Sequence, residues 1–283
     1  MTGPGIDHPR VAVIGDVGGH LGELRAELAR LGVPDDGRGP LPPGLSVVQV
    51  GDLVHRGPDS EEVVRQVDGY LRQQPGQWVQ LIGNHEAQYV RRAAFQWSPA
   101  LDPRAADRVQ AWWREGLMVA AVGLSVDGEQ LLVTHAGVTS GFWVSVLGAP
   151  ATVREAVTAI RGLGDDPALF RAGCMMQGRD PDPLAGPLWA AAASELAVSW
   201  AGETLPFSQV HGHSSAWDWD AGAWRLPPDL AAHAHLDEED RHVTLILPGG
   251  RIVGVDPDHR ATPRSPWRGW EAGGPQAVVE VIR

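Results

Sequence analysis

The sequence predicts a mixed, layered α/β fold, and three observations lead there. Short apolar runs that read as strands alternate with segments of helical periodicity through the first half. The C-terminal part carries β-rich runs close enough to pair locally. Hydrophobic residues make up 43% of the 283-residue chain and charged residues 20%, an ordinary globular balance able to cover both faces of a sheet.

Residues 11–16 (VAVIGD) read as a buried strand closed by Gly-Asp. Leu21, Leu24, Leu28 and Leu31 follow at helical spacing. The Pro-, Gly- and Asp-rich stretch 34–44 is a loop, and LSVVQVGD (45–52) is the second strand. Asp59, with Glu62 three residues on, resembles a capping box and opens a helix carrying Val63, Val64, Val67 and Leu71. WVQLIGNHE (78–86) is the third strand. Two helices follow, the second opening at Asp102-Pro103, where proline's missing N–H has no partner to lose.

LLVTHAG (131–137) and FSQVHGHS (207–214) are strands that end in histidines. The stretch between them, 138–206, is a long excursion with helices around 152–162 and 187–200. The chain therefore reads as one domain, 1–283, with a helical insertion at about 138–206. VTLILP (243–248), RIVGVD (251–256) and AVVEVI (277–282) form the β-rich tail, with Gly249-Gly250 as a hairpin turn between the first two. Residues 256–276 read as irregular surface, and His233, His235, His242 and His259 as solvated histidines.

Composition narrows the function classes. A formal net charge of −12 opposes nucleic acid phosphates and anionic membranes, so no nucleic acid or membrane partner is expected. Bound cations can reverse that field locally, which leaves small phosphorylated substrates open. MTGPGIDHPR has no apolar signal core, and Cys174 is the lone cysteine, so neither an intrachain disulfide nor a thiolate zinc site is expected. A cytoplasmic protein is the expectation.

Ligands in open α/β sheets bind beyond the carboxyl ends of the strands. Five strands here end in groups suited to metals: Asp16; Asp52; Asn84 with His85; His135; and His211 with His213. A single Gly-Asp is usually a turn and a single histidine usually structural, but five at matching ends are hard to assign to turns. Oxygen and imidazole donors without thiolate suit Mn²⁺, Fe, Zn²⁺ or Co²⁺.

The ordered series GDVGGH (15–20), GDLVHRGPDS (51–60), GNHE (83–86), THAG (134–137) and VHGHS (210–214) resembles the calcineurin-like metallophosphoesterases. The likeness is to the branch of phosphoprotein phosphatases and symmetrical diadenosine tetraphosphate hydrolases. It implies two β-sheets packed face to face with helices outside, a four-layer sandwich. It also implies two divalent metal ions, manganese foremost, and hydrolysis of a phosphomonoester or a nucleoside polyphosphate. By the same resemblance Asp52 bridges the metals, Asp16 ligates the first, and Asn84, His135 and His213 ligate the second. His85 is then the general acid and Arg56 holds the phosphate.

Two positions depart from the family's pattern. Gly18 stands where a first-metal histidine belongs, which leaves His20 or His211 as candidate replacements. His55 stands where an aspartate orients the general acid. Trp217, with Trp219 and Trp224, follows the last histidine motif, placed either to stack on a base or sugar or simply to pack. The excursion and these tryptophans favour a small phosphorylated substrate over a phosphoprotein. The rival readings are a degenerate member that senses phosphorylated ligands, a protein serine/threonine phosphatase, and an unrelated α/β binding protein.

Overall fold

The computed structural model describes residues 10–176, 179–273 and 279–283. Fourteen strands are found among them. The first six are β1 (Arg10–Ile14), β2 (Leu45–Gln49), β3 (Trp78–Leu81), β4 (Met118–Val119), β5 (Val122–Val126) and β6 (Glu129–Val133). Then come β7 (Ser208–His211), β8 (Trp217–Asp218), β9 (Ala223–Trp224), β10 (Ala234–Asp237) and β11 (His242–Leu247). The last are β12 (Gly250–Gly254), β13 (Trp270–Ala272) and β14 (Val279–Ile282).

They form a five-stranded sheet in the order β13-β1-β2-β3-β4, a seven-stranded sheet in the order β10-β11-β12-β7-β6-β5-β14, and a ribbon of β8 and β9. Strands β1 to β4 run parallel, as do β6, β7 and β12. Parallel neighbours put their carboxyl ends on one edge, which is why the motifs gather there.

Side-chain alternation along the strands sorts the core into layers. Val11, Val13, Val48 and Leu81 from one sheet meet Leu131, Val133, Val210 and Val253 from the other in a valine-rich seam. The opposite residues, Ala12, Ile14 and Val47, pack under the helices Leu21–Arg30, Ser60–Gln73 and Pro103–Arg114. On the far side Leu245 and Ile252 pack with Leu196 and Trp200. The result is the mixed α/β architecture of two major sheets flanked by helices. Among the described residues no helix is long and apolar enough to cross a membrane.

Several expectations need correction. Asp59 precedes the helix Ser60–Gln73, but its side chain caps nothing; its ψ of 31° turns the carboxylate away from the first turn. Residues 256–276 are not all irregular, because β13 pairs antiparallel with β1. His242 and His259 are buried rather than solvated, 6% and 2% exposed. Each ring is held by backbone: His242 Nε2 lies 2.8 Å from the Arg268 carbonyl, and His259 Nδ1 accepts the Arg264 N–H at 3.0 Å. The helix read at 187–200 begins only at Ala192, as a π-helical stretch, Ala192–Ala197, that continues helically through 198–199. Of the expected strand 277–282, residues 277 and 278 lie outside the described residues. The hairpin at Gly249-Gly250 forms, with Gly249 at φ +85°.

Candidate metal centre

The turns after β1, β2, β3, β6 and β7 converge where the two sheets meet. Asp52 leaves β2 at φ 54° and His213 follows β7 at φ 66°, left-handed conformations that side-chain-bearing residues hold only when their surroundings dictate it. Glycine is obligatory beside them. A β-carbon on Gly83 would collide with Asp52 Oδ1 and its backbone nitrogen, and one on Gly212 with Asp16 Oδ1. These contacts give the Gly-Asn and His-Gly-His pairs their physical reason.

Glu86 ties the turns together. Its carboxylate, wholly buried, accepts the N–H groups of Asp52 at 2.7 Å, Leu53 at 2.9 Å and Gly83 at 2.9 Å. Asp52 Oδ1 in turn accepts the His85 N–H at 2.9 Å, and Asp16 Oδ1 accepts the His213 N–H at 2.9 Å. The carboxylates are thus aimed by backbone donors from neighbouring motifs.

Asp52, His135 and His213 each offer a ligand atom within 4.8 Å of the others. His135 Nδ1 lies 2.9 Å from the Val50 carbonyl, which requires the proton there and turns the Nε2 lone pair toward Asp52 Oδ1, 3.4 Å away. The Asn84 oxygen stands 3.0 Å from His135 Nε2 and 3.1 Å from His213 Nδ1. It also faces the two Asp52 oxygens at 3.1 and 3.2 Å. Two arrangements relieve this convergence of lone pairs: the amide turned over to donate its N–H groups, or a cation at the centre. Four oxygen and nitrogen donors around one point fit a divalent ion of the manganese or zinc type.

Burial pushes Asp52 upward, but His85, His135 and His213 around it prevail and hold it below the usual carboxylate range. Burial lowers the pKa of His85, His135 and His213, so at neutral pH they are uncharged, the form in which imidazole ligates, and their pull on Asp52 belongs to acid pH, where they are protonated. Asp16 is pushed well up by burial, then by Asp256 and Asp52. Among the described residues neither Asp16 nor Asp256 has an arginine ion pair.

The other sequence candidates fall in different places. His20 Nε2 lies 2.6 Å from the Arg260 carbonyl and its ring packs on His259. His211 Nδ1 lies 2.8 Å from the Gly212 carbonyl, with the rest of its ring against Gly254. Neither is hydrogen-bonded to Asp16 or Asp52. Arg56 is half-buried, makes no side-chain hydrogen bond among the described residues, and lies 5.8 Å from the centre of the Trp97 ring. Its donors are free for an anion. His55 Nδ1 lies 2.7 Å from His85 Nδ1. Trp217 packs edge-on against Trp224 at 4.9 Å, the bland alternative read from sequence.

Three residues escaped the sequence reading: Tyr89, Trp97 and Asp256. Trp97 stacks on His55 at 5.4 Å, and Tyr89 bonds to His55; no local pattern marks either. Trp189 is buried with its ring 6.0 Å from His213. Asp256 was legible in principle, since RIVGVD ends an apolar strand in aspartate as the other motifs do. A cavity of about 550 Å³ opens beside Arg56 and His55, lined also by Ser60, Trp97, Pro99 and Leu101.

The sequence profile of the calcineurin-like phosphoesterases matches residues 9–171. A search of curated proteins finds no match. Among solved structures, a metallophosphoesterase from Sphaerobacter thermophilus is 21% identical, over 46% of this chain and 48% of that one, with a TM-score of 0.29. A cold-active protein-tyrosine phosphatase from a psychrophilic Shewanella species is 17% identical over 65% and 57%, with a TM-score of 0.40. A protein serine/threonine phosphatase from Saccharomyces cerevisiae is 12% identical over 98% and 81%, with a TM-score of 0.44. The chain thus spans about half the length of the first two, and none of the three transfers a substrate to it.

Proposed function

Because the chain belongs to the calcineurin-like phosphoesterase family, we propose that it hydrolyses a small phosphate monoester or a nucleoside polyphosphate with divalent metal, manganese foremost. The observation that carries this reading is the convergence of lone pairs from Asp52, Asn84, His135 and His213 on one buried point. These four would hold one ion. Asp16 and Asp52 would hold a second, with Asp256 adding negative charge beside Asp16. Bound divalent ions supply neutralisation of phosphate charge and acidify nearby water.

The chain's own residues bind and orient. Arg56 presents an unengaged guanidinium, whose planar fork matches phosphate oxygens. His85, on the same side, meets the leaving oxygen with Nε2. The cavity beside Arg56 and His55 gives the leaving group room and favours a small molecule over a protein surface. A cytoplasmic setting accords with the acidic composition and single cysteine.

The test is phosphate release from an aryl phosphate with Mn²⁺, by wild type and by Asp52→Asn. We expect metal-dependent turnover in the wild type and a fall of at least about a hundredfold in the variant. Absence of metal-dependent turnover in the wild type sinks the enzyme reading. A panel of metabolites and phosphopeptides in Mn²⁺ then fixes the class, and release from phosphopeptides alone would overturn the small-molecule preference.

A further inference from the structure

His55 occupies the place where the family's pattern has an acid, and its two ring nitrogens are both engaged. Nδ1 lies 2.7 Å from His85 Nδ1, and Nε2 lies 2.6 Å from Tyr89 Oη. Tyr89 Oη also accepts the backbone N–H of Leu101 at 3.0 Å.

Counting hydrogens gives this chain a direction. The Leu101 N–H can only donate, so it occupies a lone pair of Tyr89, and among the described residues His55 Nε2 is the one acceptor in hydrogen-bond reach of the phenol hydrogen. His55 Nε2 is then an acceptor, and the proton of the neutral ring sits on Nδ1. Two ring nitrogens 2.7 Å apart share one hydrogen, so His85 Nδ1 is the acceptor and His85 carries its proton on Nε2. That nitrogen lies 3.8 Å from Asp52 Oδ2, on the metal-ligand side. Trp97, stacked on His55 with an interplanar angle of 10°, covers the pair.

We propose that Tyr89 and His55 form a relay that sets His85 in the proton-donating tautomer and resupplies its proton, in place of a carboxylate. The inference rests on the phosphoesterase reading. As the bond from phosphorus to the leaving oxygen breaks, its electron pair stays on that oxygen, which takes the Nε2 proton of His85. His85 Nδ1 takes the proton of His55 Nδ1, and His55 Nε2 takes the phenol proton of Tyr89. The phenolate regains a proton from the one that the attacking water gives up, so the cycle closes as hydrolysis. Burial pushes the Tyr89 phenol above its ordinary pKa, yet a phenol remains a much stronger acid than an alcohol, so the transfer still runs downhill for an alkyl leaving group. A nitrophenol leaving group is acidic enough to depart without it.

The test compares wild type and Tyr89→Phe in Mn²⁺ on an alkyl phosphate and on nitrophenyl phosphate. The phenylalanine ring preserves packing, and thermal unfolding checks the fold. We expect kcat on the alkyl ester to fall about a hundredfold and kcat on the nitrophenyl ester to stay within about threefold. Equal loss on both esters, or none on either, overturns the relay. Nitrogen-15 NMR of the imidazoles reads the tautomers without turnover: His85 protonated at Nε2 and His55 at Nδ1 in the wild type, with the His55 preference lost in Tyr89→Phe. His85 protonated at Nδ1 in the wild type overturns the relay even if the enzyme is active. A wild type inactive on both esters overturns the phosphoesterase reading, and the relay with it.

Discussion

Burial holds His259 neutral. Its pKa is pushed down to about 3, first by burial and then by His20 and the arginines 241, 56 and 264. The ring sits between His20 at 5.2 Å and Trp267 at 5.4 Å. Unfolded, the same side chain takes a proton near pH 6.5. Between pH 6.5 and about 3 the unfolded chain therefore binds a proton that the folded one refuses, and His259 costs stability as pH falls through that window. The stability of wild type relative to His259→Asn should decline by about 1.4 kcal/mol per pH unit there. Urea unfolding of both proteins at pH 7, 6 and 5 measures this, and parallel stability curves would contradict it. The residue lay in a stretch that reads as polar surface, because no local pattern reveals that Arg264 and Trp267 fold back over it.

At the scale of single elements, two helix starts with similar sequences behave differently. Thr152 has extended backbone (φ −125°, ψ 154°), accepts the Glu155 N–H and completes a capping box; Asp59, at ψ 31°, does not. The difference comes from the loop before Asp59, whose N–H is committed to the Gly19 carbonyl by the geometry of the metal-side turns. Thr152→Ala should cost about 1 kcal/mol of stability, read by urea titration. A change below 0.3 kcal/mol, on the order of the titration error, would show that the cap does not matter there. The turn after β3 carries more. Glu86→Ala leaves three buried N–H donors without an acceptor, and at about 1–3 kcal/mol each the loss should reach at least about 3 kcal/mol. A melting temperature within a degree or two of wild type would refute that role. Glycine at 83 and glutamate at 86 were both visible in GNHE, but their reason, crowding against Asp52 and three converging N–H groups, is not contained in the motif.

Across the whole molecule the candidate ligands are divided between the sheets. Asp52 and Asn84 end strands of the five-stranded sheet, while His135 and His213 end strands of the seven-stranded one. An ion held by all four joins the sheets at the edge where buried acceptors face one another. Mn²⁺ at a hundred times its dissociation constant should then stabilise the fold by about 2.7 kcal/mol. EDTA should reverse the gain, and Asp52→Asn should show little of it. Thermal unfolding with and without metal tests the point, and equal shifts in wild type and variant would mean that the ion binds elsewhere. A chain of net charge −12 gains something from any cation, so the variant is the necessary control.

Strands β1, β2, β3, β6, β7, β11 and β12 and the candidate residues Asp16, Asp52, Asn84, His85, His135 and His213 were legible because each is a local pattern. An apolar run of the right length ends in a glycine turn and a polar donor. Tertiary structure alone decided which donors share one centre, that His20 and His211 turn to backbone carbonyls, and that β13 returns from a polar stretch to pair with β1. It also placed Tyr89, Trp97 and Asp256 beside residues distant in sequence. Those outcomes depend on crossings and on hydrogen-bond competition between segments far apart along the chain, for which no short stretch carries a signal.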